Sequence, residues 1–199
     1  MSRARPHPVP AVLLAATLAL AAACGCTRHR PPGVLAADEP VQEPETDGRA
    51  FEVRGFTLTP LARFRITARV LHTCDYRMDR EARLSPRDLA LGWGPMSDSA
   101  VLADFRVDQM ARFFSWHADE LPIPRDEVVS HSANMHIIPA DGAVRRALDR
   151  LEPGDVVTID GDLVEAEAPD GWRWVSSMSR DDTGDGACEL VYARTLKAR

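Results

Sequence analysis

The chain has 199 residues, with 24 basic against 30 acidic side chains and a net charge of −6. That balance excludes general nucleic-acid binding, which needs a basic face to neutralise phosphates. Lys197 is the single lysine, so a P-loop lysine, a Ser-x-x-Lys acylation centre and Schiff-base chemistry at a well-placed amine are excluded as well.

In chain order, a basic start (Arg3, Arg5) leads into an apolar run, Ala11 to Ala23, of roughly 13 residues. This is the layout of a secretory signal peptide over residues 1–23, too short for the ~20 apolar residues of a membrane span. The run closes on Ala21-Ala22-Ala23-Cys24, which resembles a bacterial lipoprotein signal. The resemblance implies lipidation of Cys24 (Cys26 is the weaker acceptor) and an anchored protein facing the periplasm. Gly25, rather than Asp, implies the outer membrane over the inner. Cleavage would remove Arg3 and Arg5 and no acid, moving the net charge from −6 to −8.

Residues 24–50 read as a disordered tether. Pro31, Pro32, Pro40 and Pro44 alternate with Asp38, Glu39, Glu43 and Glu45, and no aromatic is available to bury.

Residues 51–199 have the size of one domain. Phe64, Ile66, Ala68 and Val70 alternate with Arg63, Arg65, Thr67 and Arg69, the period of a half-buried strand. Ser85-Pro86-Arg87-Asp88 predicts a helix, with Ser85 as N-cap and Pro86 at the first position, ending near Gly92. Met110 to Trp116 predicts a strand, and Ala143 to Leu151 a short helix stopped by Pro153-Gly154. Val156 to Val164, the turn Pro169-Asp170-Gly171, and Trp172 to Val175 predict a hairpin, with Leu190 to Tyr192 as a last strand. Together these give an α+β domain: a small antiparallel sheet or partly open β-barrel, OB-like in its strand-turn wording, with two short helices.

The densest polar cluster is His131 to His136. Five residues place the imidazoles about 140° apart on a helix and on opposite faces of a strand, so only a bend would join them in a metal site. Asp181, Asp182 and Asp185 offer a second low-specificity cation position, for zinc with the histidines or calcium alone. An EF-hand is excluded because its twelfth position falls on Tyr192. No resident cofactor is expected. Ligand-contact candidates are Trp93 in its glycine-flanked loop, Arg112, Trp116, Asn134 and Arg180. Cys74 and Cys188 are candidates for a disulfide in an oxidising compartment, closing a long loop worth roughly 4–5 kcal/mol if the geometry allows.

The strings Leu84 to Asp98, His131 to Ala140 and Ser176 to Val191 together resemble an uncharacterised family of bacterial exported proteins. The resemblance implies one coherent domain and no particular activity. The leading expectation is a non-enzymatic envelope lipoprotein that binds a protein or small-molecule partner. The alternatives are a periplasmic hydrolase, metal-assisted through His131, His136 and Asp181 or Asp182, and a purely structural envelope protein.

Overall fold

The computed structural model describes residues 28–45, 48–179, 184 and 186–199. The signal segment, Cys24, Cys26, Arg180, Asp181, Asp182 and Asp185 lie outside the described residues. The strands are β1 (Val41–Pro44), β2 (Phe51–Val53), β3 (Phe56–Asp75), β4 (Arg87–Gly92), β5 (Arg106–Met110), β6 (Phe113–His117), β7 (Ser132–Pro139), β8 (Val156–Glu167), β9 (Arg173–Val175) and β10 (Glu189–Ala198). The helices are α1 (Ser99–Leu102), α2 (Arg125–Ser130) and α3 (Gly142–Asp149).

Five strands close on themselves. β3 pairs with β4, β4 with β7, β7 with β10, β10 with β8, and β8 returns to β3. Every pairing in the ring is antiparallel except β7 with β10, which is parallel. With β1, β2 and β9 attached, the sheet has eight strands. The α+β class holds, and the expectation of a small antiparallel sheet is corrected: the sheet is large and mixed.

The ring closes around apolar residues at alternate positions. Phe64, Ile66, Ala68 and Val70 of β3 face inward with Leu89, Leu91, Met135, Ile137, Ile159 and Leu163. Burying each large aliphatic contributes ~1.5–3 kcal/mol. Helix α3 adds Val144 and Leu148 to the same core. Its N-cap is Asp141, whose carboxylate accepts the amides of Ala143 and Val144 at 2.7 and 2.9 Å. A second apolar cluster, built on Phe56, Leu58, Leu84, Ile138, Val164 and Leu190, lies under Trp172 and Trp174.

Two expected elements are corrected. The helix expected from Ser85 is strand β4. Leu89 and Leu91 sit in the core while Asp88 and Ala90 face the other way, a period of two that outweighs the local capping residues. The single strand expected over residues 110–116 is the β5–β6 hairpin, which turns on Ala111 (φ 51°) and Arg112 (φ 71°). Helix α3 matches the helix expected at Ala143, and β8, β9 and β10 match the expected C-terminal strands. The described residues hold three α-helices rather than two.

Much of the segment read as a tether lies on the domain. Ala36 is 4% exposed, β1 pairs with β3, and the amides of Leu35 and Ala36 both donate to Ser97 Oγ at 3.1 Å. The composition is correct for a segment unable to fold alone. The ready-made domain surface supplies the partners that the segment lacks.

Candidate ligand site on the outer face of the ring

Because Leu89, Leu91, Met135 and Ile137 point inward, Asp88, Ala90, Asn134 and His136 project from the outer face of β4 and β7. A register shift between Val70 and His72 reverses the facing of β3 at that point. Val70 stays in the core, whereas His72 and Cys74 stand opposite Ala90 and Asp88. The residues between β4 and β7 fold the β5–β6 hairpin over this face.

Arg112, at the hairpin turn, organises the cluster. Its Nη1 donates to Asp88 Oδ1 at 2.8 Å and to the Ser85 carbonyl at 3.0 Å. Its Nε and Nη2 donate to Asp79 at 3.1 and 2.9 Å. The guanidinium lies over the Tyr76 ring at 3.7 Å, with the Trp174 ring at 5.6 Å. Burial alone would lower the Arg112 pKa, but Asp79 and Asp88 more than offset it and hold it above its ordinary value. Burial likewise works to raise Asp79, and the Arg112 hydrogen bonds outweigh it, leaving that carboxyl below its usual range.

The Arg112 backbone is held too. Its amide donates to the Tyr76 hydroxyl at 3.0 Å. Its carbonyl accepts Asn134 Nδ2 at 2.9 Å and stands 3.7 Å from Cys188 Sγ. Asn134 Oδ1 in turn accepts Gln109 Nε2 at 2.5 Å, and Gln109 Oε1 meets His72 Nδ1 at 3.0 Å. Burial pushes the Tyr76 hydroxyl pKa well up, aided by the neighbouring Cys74. Two consecutive non-glycine residues at positive φ cost of order 1–3 kcal/mol each, and this network is what holds them there.

His136 is buried beside Asp88, with Nδ1 and Oδ2 2.9 Å apart. The pair is off the line that a hydrogen bond requires, so both atoms lack one despite the short separation. The imidazole packs on Trp174, ring centres 4.6 Å apart.

Beside this cluster lies a cavity of about 340 Å³ between β6, the start of β7, α2 and the residues leading into β10. Its apolar walls include Trp93, Phe114, Trp116 and Ala133, and its polar ones Ser132, Asn134 and Glu189. Arg125 stands at its edge, the guanidinium carbon 5.2 Å from the Trp116 ring centre. Among the described residues Arg125 meets no carboxylate within ion-pair distance.

Of the expected ligand residues, Trp93, Trp116 and Asn134 come together on this cavity. Arg112 sits behind it, its guanidinium committed to two aspartates. Arg180 lies outside the described residues. The two histidines take separate partners. His131 Nε2 lies 3.1 Å from Glu39, and Nδ1 lies 3.1 Å from the Glu127 carboxylate. Strand geometry sends His136 to the opposite face. Among the described residues no three His, Cys, Asp or Glu side chains form a metal-binding group. No disulfide joins Cys74 to Cys188 in this structure; the two flank the Arg112 network, one beside Tyr76 and the other beside the Arg112 carbonyl.

Asp79, Asp88, Tyr76 and Arg125 escaped sequence reasoning. For Arg125 a signal existed: Pro124 followed by Asp126 and Glu127 marks a helix start, which would have placed an arginine at a helix entrance. For Asp88 the helix expected from Ser85 concealed the strand period.

No protein-family model, no curated protein and no solved structure matches this chain.

Proposed function

We propose that this protein is a binding module of the cell envelope, anchored through Cys24, whose ligand occupies the cavity beside the β5–β6 hairpin. The observation that carries this reading is the cavity itself: aromatic walls, a few convergent polar groups and, at the edge, an arginine that meets no carboxylate among the described residues, the ordinary composition of a small-molecule site. A purely structural protein has no need of such a space.

We further read the closed ring as an OB-like barrel. Its pairing order, the parallel β7–β10 contact and the α3 helix between β7 and β8 support that reading. In such barrels the second and third strands and the loops joining strands one to two and four to five receive ligands. The corresponding elements are β4, β7, residues 76–86 and the connection from β8 to β10. Tyr76, Asp79, Trp174 and Cys188 belong to those loops, and Asp88, Asn134 and His136 to those strands.

The walls favour an amphipathic ligand with a ring or short apolar body for Trp116 and Phe114. An acidic group on it would pair with Arg125. Oligonucleotides fit poorly, since the chain is acidic and Arg112 is already neutralised. The seclusion of His136 and Asp88 beneath Arg112 and Trp174 favours binding over hydrolysis.

The test is a thermal-shift and tryptophan-fluorescence screen with aryl and alicyclic carboxylates, repeated on Arg125→Ala and Trp116→Ala. A hit whose affinity falls in both variants supports the reading. Stabilisation unaffected by either substitution, or none across the panel, overturns it.

A further inference from the structure

The strap formed by residues 28–44 begins at a defined place on the barrel. The Arg28 amide donates to the Pro153 carbonyl at 2.8 Å. Arg28 Nε meets the buried Asp155 carboxylate at 2.8 Å. Arg30 Nε donates to the Gly154 carbonyl at 3.0 Å, and its Nη2 to the Arg199 carbonyl at 2.5 Å. The seat is shaped for this contact: a Cβ at Gly154, where φ is +95°, would come within 2.2 Å of the Arg28 carbonyl oxygen. Further along, Gly94 donates to the Ala36 carbonyl at 2.7 Å and Trp93 Nε1 to Glu39 at 2.8 Å.

Arg28 is four residues beyond Cys24. Covalent geometry limits that separation to about 14 Å, whatever path the chain takes. A lipid on Cys24 would therefore hold the Pro153–Gly154 end of the barrel at the bilayer, where a free tether from Cys24 to residue 50 would have let the domain stand far off.

That end is also where cations gather on an acidic chain. The register pairs Lys197 with Thr158 and Ala198 with Val157, and Arg199 exchanges backbone bonds with Val156. This brings Lys197 and Arg199 to the end where Arg28 and Arg30 dock, with Arg150 just before the same turn. The acids of that turn, Glu152 and Asp155, are both engaged by Arg28. Exposed lysine and arginine near a bilayer are attracted to anionic headgroups within a Debye length.

We propose that the barrel end where Arg28 docks, carrying Arg30, Arg150, Lys197 and Arg199, is a membrane-facing surface that rests on anionic lipid headgroups. This rests on the anchoring of Cys24. It leaves the ligand cavity to a separate part of the surface, lined by β6, α2 and the start of β7.

The experiment uses the full chain purified with its anchor and reconstituted in phosphatidylethanolamine vesicles with and without phosphatidylglycerol. Mass spectrometry of the mature N-terminal peptide reads the modification on Cys24. Hydrogen exchange reads residues 150–157 and 195–199. The expected result is a diacylglyceryl Cys24 and a several-fold slowing of exchange in both stretches on phosphatidylglycerol vesicles, weakened by added salt. Arg150→Glu with Lys197→Glu should abolish the slowing and leave protection of residues 28–39 unchanged, because neither side chain holds the strap. A lipidated protein with no slowing, or with equal slowing on both vesicle types, overturns the surface and leaves the anchor standing. An unmodified Cys24 overturns the anchor and the surface together.

Discussion

Arg112 carries more of the outer-face architecture than any other side chain described. It neutralises Asp88, which is fully buried, and a buried carboxylate that loses its partner is costly. Arg112→Met should therefore destabilise the protein by about 3–5 kcal/mol, read as a lower urea midpoint, even though the methionine fills similar volume. Acid sensitivity belongs to the same scale. The Arg87 hydrogen bonds hold Asp75 below the usual carboxylate range despite partial burial, and Arg112 holds Asp79 low against its own burial. A depressed folded pKa means that the stabilisation is present above the unfolded value, near 3.9, and is lost as pH falls through the folded one. Asp75→Asn with Asp79→Asn should flatten the loss of stability below about pH 4; an unchanged acid limb in denaturant titrations would refute this. Both carboxylates are partly exposed, so solvent screening keeps the effect modest. These partners were invisible in sequence because Asp79, Asp88 and Arg112 belong to three separate segments.

Elements differ in how openly the chain announces them. Helix α3 has its Asp141 cap and its stop at Pro153-Gly154, and β8 with β9 has a Pro-Asp-Gly turn between apolar runs. Local residues suffice there. β4 carries helix-start residues at Ser85-Pro86, yet Arg87-Asp88-Leu89-Ala90-Leu91 alternates, and two neighbouring strands supply the hydrogen bonds that a helix would have made internally. The β5–β6 turn was unreadable for a different reason: such two-residue turns favour Asn-Gly, and Ala111-Arg112 is held by Tyr76, Asn134 and Asp88 instead. Ala111→Gly should relieve the strain and raise stability by roughly 1 kcal/mol, measured by denaturant unfolding; a loss of stability would mean that Ala111 is not strained. The strap makes an equally direct case. Ser97→Ala removes the acceptor for two of its amides and should speed hydrogen exchange across residues 33–39 while the ring strands keep their protection.

At the scale of the whole molecule, a closed ring provides a stiff frame, and the segment between β4 and β7 provides the site. A ligand in the proposed site would bridge the two. At a hundred times its dissociation constant, a ligand that binds only the folded state adds about 2.7 kcal/mol, and the melting temperature should rise with its logarithmic concentration. A melting temperature indifferent to concentration would exclude a site formed by folding. The sequence by itself determined the α+β class, the acidic balance that disfavours nucleic acid, the alternation of β3 and the C-terminal hairpin, since each rests on composition or on neighbours a few residues apart. It also determined that Trp93, Trp116 and Asn134 were worth watching. Only the tertiary structure decided that the ring closes through a parallel β7–β10 pairing, that residues 28–44 are a strap and not a tether, and that Arg112 is spent on Asp79 and Asp88. Each of these depends on a partner distant along the chain, and pairing over such distances is set by which surfaces fit when the core closes, a property no local window contains.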